Sequence, residues 1–63
     1  MQNEKLKKAR KKAGLTQIEV AKLVNLTLTS YQRFEYGSRR PSLDTAFEIA
    51  KALGTTVDEL FKK

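Results

Sequence analysis

The chain has 63 residues, a formal net charge of +6, and neither cysteine nor histidine. That length accommodates one domain with a small core. The missing residue types exclude a disulfide framework, a Cys/His zinc site and histidine acid–base chemistry. The positive charge points to a polyanionic partner, most simply nucleic acid. No run approaches the roughly 20 apolar residues of a membrane span or the ~7–15 of a signal-peptide core, so the chain reads as soluble and unprocessed.

The first predicted element is a helix in NEKLKKARKKAGL, with Leu6, Ala9 and Ala13 as its inward stripe and Gly14 as its stop. Lys5, Lys7, Lys8, Arg10, Lys11 and Lys12 place six of the thirteen cations here. Lys7, Lys8, Lys11 and Lys12 read as a solvated face. With one large apolar residue and no aromatic, the helix does not fit a membrane surface. Arg10 lies one turn after Leu6, beside the inward stripe, where an unpaired charge is costly to desolvate. It requires a carboxylate, and Glu35 is the candidate for a bidentate contact that clips this helix to the rest.

The stretch from Thr16 to Gly37 reads as two short helices joined by a tight turn. Thr16 and Glu19 form a capping box, and Leu15 with Val20 a hydrophobic staple, which together set the angle at which the chain enters the helix. Val20, Ala21 and Val24 give the buried face, with Ile18 and Leu23 flanking it. Asn25 tolerates the left-handed conformation that ends a helix. Only Leu26 separates it from a new cap at Thr27, so the second helix begins at once and crosses the first steeply. In that second helix Tyr31 and Phe34 can be buried together. Leu28, Thr29, Gln32 and Arg33 point elsewhere, a mixture that makes a poor core and a suitable reading head for base edges.

SRRPS follows as a loop, in which Ser38, Arg39 and Arg40 leave the second helix directly and Ser42 caps the next. Its arginines and backbone amides are placed for a sugar-phosphate strand. LDTAFEIAKALG is an amphipathic helix whose expected core residues are Leu43, Ala46, Phe47, Ala50 and Leu53, with Gly54 as its stop. In TTVDELF, Thr56 and Glu59 form a second capping box and Leu60 faces inward. Val57 and Phe61, one turn apart, are either a lid on the core or half of a contact with another subunit. The plan is all-α: a single domain over residues 1–63 with four or five short helices and its motif at about 16–37.

GLTQIEVAKLVNLTLTSYQRFEYGSRRPSLDTAFEIAKALGTTVDELF resembles the DNA-binding domain of the phage repressor and Cro family, the xenobiotic-response-element type of helix-turn-helix regulator. Leu15-Thr16-Gln17, Ala21, Glu35, Gly37, Pro41-Ser42, Ala50, Leu53-Gly54 and Asp58-Glu59-Leu60 stand where that family's pattern has them. The resemblance implies a compact lambda-repressor-like domain and a sequence-specific regulator of transcription, a repressor, reading the major groove of double-stranded DNA with residues 27–35. It also implies a homodimer on a two-fold symmetric operator, with Val57 and Phe61 as the first suspects for the contact. Leu28, Thr29, Gln32 and Arg33 match its base-contacting positions; Gln17, Ser38, Arg39 and Arg40 match its phosphate-contacting ones. Arg10 and Glu35 match its internal salt bridge. The setting it implies is the cytoplasm of a bacterium or phage host, on the nucleoid. The chain departs from the family pattern at Asn25, Tyr31, Phe34, Tyr36 and Leu28, the last apolar where a hydrogen-bonding residue is common.

Two other classes are weighed beside this reading. The chain is an antitoxin-type module if its main partner is a protein, with regulation of its own operon as a second role. An enzyme requires a nucleophile beside a base or a cluster of perturbed acids, and the sequence shows neither. No cofactor or metal is expected.

Overall fold

The computed structural model describes residues 2–61 and contains five α-helices and no strand among them. They are α1 (Glu4–Lys12), α2 (Gln17–Leu23), α3 (Leu28–Tyr36), α4 (Leu43–Leu53) and α5 (Val57–Phe61). Most of their ends are set by local chemistry. Asn3 caps α1 through Oδ1, which accepts from the Leu6 amide at 3.1 Å. At α2 the capping box is complete: Thr16 Oγ1 accepts from the Glu19 amide at 3.2 Å, and Glu19 Oε1 accepts from the Thr16 amide at 2.9 Å. Thr27 and Ser42 cap α3 and α4 in the same way. The box expected at α5 is half formed, with Thr56 Oγ1 accepting from the Glu59 amide at 3.2 Å.

The turn between α2 and α3 follows from Asn25, the one non-glycine residue with positive φ among those described, at 58°. Its amide returns to the Lys22 carbonyl and that of Leu26 to the Ala21 carbonyl, closing the end of α2. Leu26 then packs against the core, which pins the turn from beneath. Asn at this backbone position does the work more often given to glycine, because a short polar side chain tolerates the left-handed region.

The core joins Leu6 of α1, Val20 and Ala21 of α2, Tyr31 and Phe34 of α3, Ile49, Ala50 and Leu53 of α4 and Leu60 of α5. Tyr31, a bulky residue for a chain this short, is fully buried, and the helices close around its ring. Three sequence expectations are corrected here. Ala13 is exposed, since it lies past the last turn of α1. Leu43 and Phe47, expected in the core, are 65% and 57% exposed. The buried stripe of α4 is Ala46, Ile49, Ala50 and Leu53, which shares three residues with the stripe counted from Leu43 but is centred roughly 45° around the helix from it, towards Ile49.

Arg10 and Glu35 form the expected clip between α1 and α3. Arg10 Nε donates to Glu35 Oε2 at 2.6 Å, Nη2 approaches Oε1 at 3.4 Å, and Nη1 donates to the Leu15 carbonyl at 2.9 Å. Their side chains are 11% and 2% exposed. Burial pushes the Glu35 carboxyl up, but the donors on it prevail and hold it below its ordinary value.

A domain of this size is stable by only about 3–9 kcal/mol. Removing one partner of a buried pair costs roughly 3–5 kcal/mol. Arg10→Met is therefore expected to lose most of the folded population in urea melts, and Arg10→Met/Glu35→Leu to recover much of it. The folded Glu35 sits below its ordinary 4.5, so its contribution is complete above that pH and is lost as the pH falls through the lowered value. The stability gap between wild type and Glu35→Gln should thus narrow on the acid side of pH 4.5. At the turn, Asn25→Gly should be near neutral, while Asn25→Ala should cost about 1 kcal/mol in the same melts.

Candidate nucleic-acid interface

The pairing of Arg10 with Glu35 extends outward as a chain of amides. Gln17, the first residue of α2, donates from Nε2 to Glu35 Oε1 at 3.1 Å. Its own Oε1 accepts from Gln32 Nε2, again at 3.1 Å. Because a carboxylate can only accept, it fixes which end of the Gln17 amide faces inward. The Gln17 carbonyl is then turned to Gln32, and each glutamine keeps one N–H free. Gln32 also keeps its carbonyl oxygen. The start of α2 is thereby locked to the middle and end of α3, at Gln32 and Glu35, and the orientation of two surface amides is set by one buried charge.

Around these amides α3 presents a mixed face. Thr29 and Arg33 are exposed, and Leu28 and Gln32 are half-buried. The four residues expected to contact bases thus share the outer side of one helix, opposite Tyr31 and Phe34. Gln17 lies beside them. The Tyr31 hydroxyl is buried beneath this face, near the Arg10–Glu35 pair but with no hydrogen-bond partner at proper geometry. Burial raises the phenol above its ordinary range and keeps it protonated.

The loop after α3 divides its tasks. Gly37 turns out of the helix with φ at 77°. The amides of Ser38 and Arg39 both return to the Arg33 carbonyl, at 3.1 and 3.3 Å, and Ser38 Oγ donates to the same carbonyl at 3.3 Å. Those two amides are consumed by the end of α3, so the expectation of free backbone donors holds for neither, and the contacts available at 38 and 39 are side chains. Arg39 is exposed, and Arg40 donates from Nη2 to the Phe61 carbonyl of α5 at 3.2 Å. Arg33, Arg39 and Arg40 lie within one stretch that ends α3 and follows it.

Val57 and Phe61 are half-buried and packed on the core, which gives both the role of a lid. Asn3 is a residue that the sequence reading passed over. Besides capping α1, its backbone amide donates to the Glu35 carbonyl at 2.7 Å and its side-chain Nδ2 to the Leu60 carbonyl at 2.9 Å, so one residue joins α1, α3 and α5. Its position before Glu4, at the start of a helical pattern, was the available signal. Among the described residues no group of three or more acidic, Cys or His residues is placed to hold a metal, and no helix is long and apolar enough to cross a membrane.

The comparisons with known proteins agree with this geometry. A helix-turn-helix family model matches residues 6–60. The chain is 37% identical over 57 residues to the cryptic phage CTXphi transcriptional repressor RstR of Vibrio cholerae, covering 90% of this chain and 51% of that protein. It is 43% identical over 58 residues to control protein C.MunI from a Mycoplasma species, covering 90% and 78%. The crystal structure of the restriction-modification controller protein C.AhdI from Aeromonas hydrophila superposes with a TM-score of 0.85 at 32% identity, over 94% of this chain and 89% of that one. The chain spans about half the length of RstR and of the Bacillus subtilis regulator YqaE. The match to the family over nearly the whole chain, with the same fold and a built helix-turn-helix, places this protein in the helix-turn-helix family of the Cro and phage-repressor type.

Proposed function

We propose that the chain is a sequence-specific double-stranded DNA-binding regulator of transcription, acting as a repressor by occupying its operator as a homodimer. The observation that carries this reading is the chain from Arg10 through Glu35 and Gln17 to Gln32. It delivers preoriented amides to the outer face of α3, directly beside the arginines of the following loop. The name of RstR, a transcriptional repressor, supports the sign of regulation.

In the groove, Arg33 bridges O6 and N7 of a guanine, and Gln32, with one N–H and its carbonyl left, meets N7 and N6 of an adenine. Thr29 or Leu28 packs on a thymine methyl. The free N–H of Gln17 and the side chains of Arg39 and Arg40 hold phosphates, joined by Ser38 once its hydroxyl turns from the Arg33 carbonyl to the strand, and these contacts position the helix without reading sequence. Val57 and Phe61 keep a place at the edge of a subunit contact through the part of their surface that the core leaves open. Catalysis has no part in this reading, because base-edge and phosphate contacts need no nucleophile. A chain acting on bacterial or phage DNA works in the cytoplasm, at the nucleoid.

Selection from random duplex DNA at about 150 mM salt, where nonspecific attraction is weak, is expected to return a symmetric motif with half-sites about one helical turn apart. Recovery of no motif would overturn the reading. Arg33→Ala should lose about 1–3 kcal/mol of discrimination at one base pair, while Arg39→Ala should weaken binding to all sequences and reduce the salt slope by about 1. Gln17→Ala should do both, because it removes a phosphate contact and releases Gln32. Binding titrations against single-base operator variants at several salt concentrations separate these three patterns.

A further inference from the structure

A groove of about 560 Å³ runs between one flank of α1 and the turn that joins α4 to α5. Lys5, Lys8 and Lys12 form one wall, and their spacing places all three within about 60° of each other around α1. The floor is small and apolar, with Ala9 and Ala13 beside Leu53. Gly54 keeps the far side low, and Thr55 and Glu59 close it. Arg10 reaches from α1 to Glu35 on α3, whereas Lys8 and Lys12, each two residues from Arg10, stand about 160° from it around the helix. The groove therefore opens on the flank of α1 turned from α3, and among the described residues none of α2 or α3 lines it.

Charge and floor together define what this groove can hold. Three ammonium groups line it against one carboxylate, Glu59. Among the described residues ion pairing is confined to Arg10 and Glu35, so the three lysines are engaged by no acid of their own chain. The lysine wall repels another molecule of net charge +6. A phosphate backbone is drawn to ammonium groups, but it gains nothing from an apolar floor and meets Glu59 on the far side. A helix with carboxylates along one edge and apolar side chains along its face satisfies both parts of the site. Its apolar side chains cover the two alanines and the alkyl stems of the lysines, while its carboxylates meet the ammonium groups at the rim.

We propose that the groove between α1 and the α4–α5 turn docks an acidic amphipathic helix of a partner protein, held by Lys5, Lys8 and Lys12 over the Ala9, Ala13 and Leu53 floor. The proposal goes beyond the reading of the chain as a DNA-binding module and does not rest on it, since it uses no residue of the outer face of α3. It separates the lysines of α1 into two sets. Lys7 and Lys11 lie on the other flank, outside the groove, whereas Lys5, Lys8 and Lys12 share a wall with a surface beside it to bury. A partner seated there leaves α3 and the arginine loop free.

The test uses the full chain and a labelled peptide of about 15 residues, near the length at which an isolated helix becomes stable, with leucine along one face and glutamate along the rest. Binding is followed by fluorescence anisotropy at about 150 mM salt, where attraction beyond about 8 Å is screened, and located by the amide shifts of the protein. The peptide is expected to bind, with its shifts concentrated at Ala9, Ala13, Gly54 and Thr55. Lys5→Gln/Lys8→Gln/Lys12→Gln should weaken it about tenfold. Lys7→Gln/Lys11→Gln/Lys22→Gln removes the same charge outside the groove and should stay within about twofold of wild type. Circular dichroism confirms the fold of both variants, in which every substituted lysine is exposed or half-buried. Equal losses in the two variants reduce the binding to general attraction and overturn the proposal, as does a glutamate peptide without leucine that binds as tightly. A random duplex that shifts the same amides and displaces the peptide gives the groove to nucleic acid and overturns it too. So does the absence of shifts at these amides.

Discussion

The buried carboxylate of Glu35 is the constraint on which the rest of this small domain depends. A charge taken out of water needs full compensation, and here the compensation comes from two other helices. Arg10 supplies it from α1, Gln17 from α2, and the α3 backbone carries the acid itself. Each donor must stay in place for the others to be useful, so the relative positions of three helices are set by one group. Hydrophobic contact alone would leave such short helices free to slide, because apolar packing has little directional preference.

The same carboxylate has a consequence at the surface. By dictating which end of the Gln17 amide points inward, it dictates which end meets Gln32, and hence which donors and acceptors the outer face of α3 offers. A residue that touches no ligand therefore shapes the chemistry of one that is placed to do so. Preorganisation of this kind lowers the entropy that long amide side chains lose on binding.

Charge is distributed with comparable economy. The cations on α1 other than Arg10 lie on its outer side, those at the end of α3 flank the outer face of that helix, and α4 carries two exposed carboxylates, Asp44 and Glu48, beside its apolar patch. One helix pair thus has an outer surface suited to a polyanion, and another has a surface that disfavours it. The loop from Ser38 to Arg40 joins the two, spending its first two amides on the end of α3 and its last guanidinium on α5.

The sequence alone determined the helix ends, the turn and the clip. Caps at Thr16, Thr27 and Ser42, the stop at Asn25 and the need of Arg10 for an acid are local or pairwise requirements, readable from residue type and spacing. The outward set Leu28, Thr29, Gln32 and Arg33 was legible for the same reason, since Tyr31 and Phe34 claim the opposite side of one helix. Tertiary structure decided what depends on neighbours. The hydrophobic periodicity of α4 admits two overlapping stripes, and only its packing against α2 and α5 selected the one with Ile49 and left Leu43 and Phe47 in water. The link from Gln17 to Gln32 spans 15 residues and two helices, and the reach of Asn3 to Leu60 spans 57. No local pattern encodes such contacts, because they exist only once the chain has closed on itself.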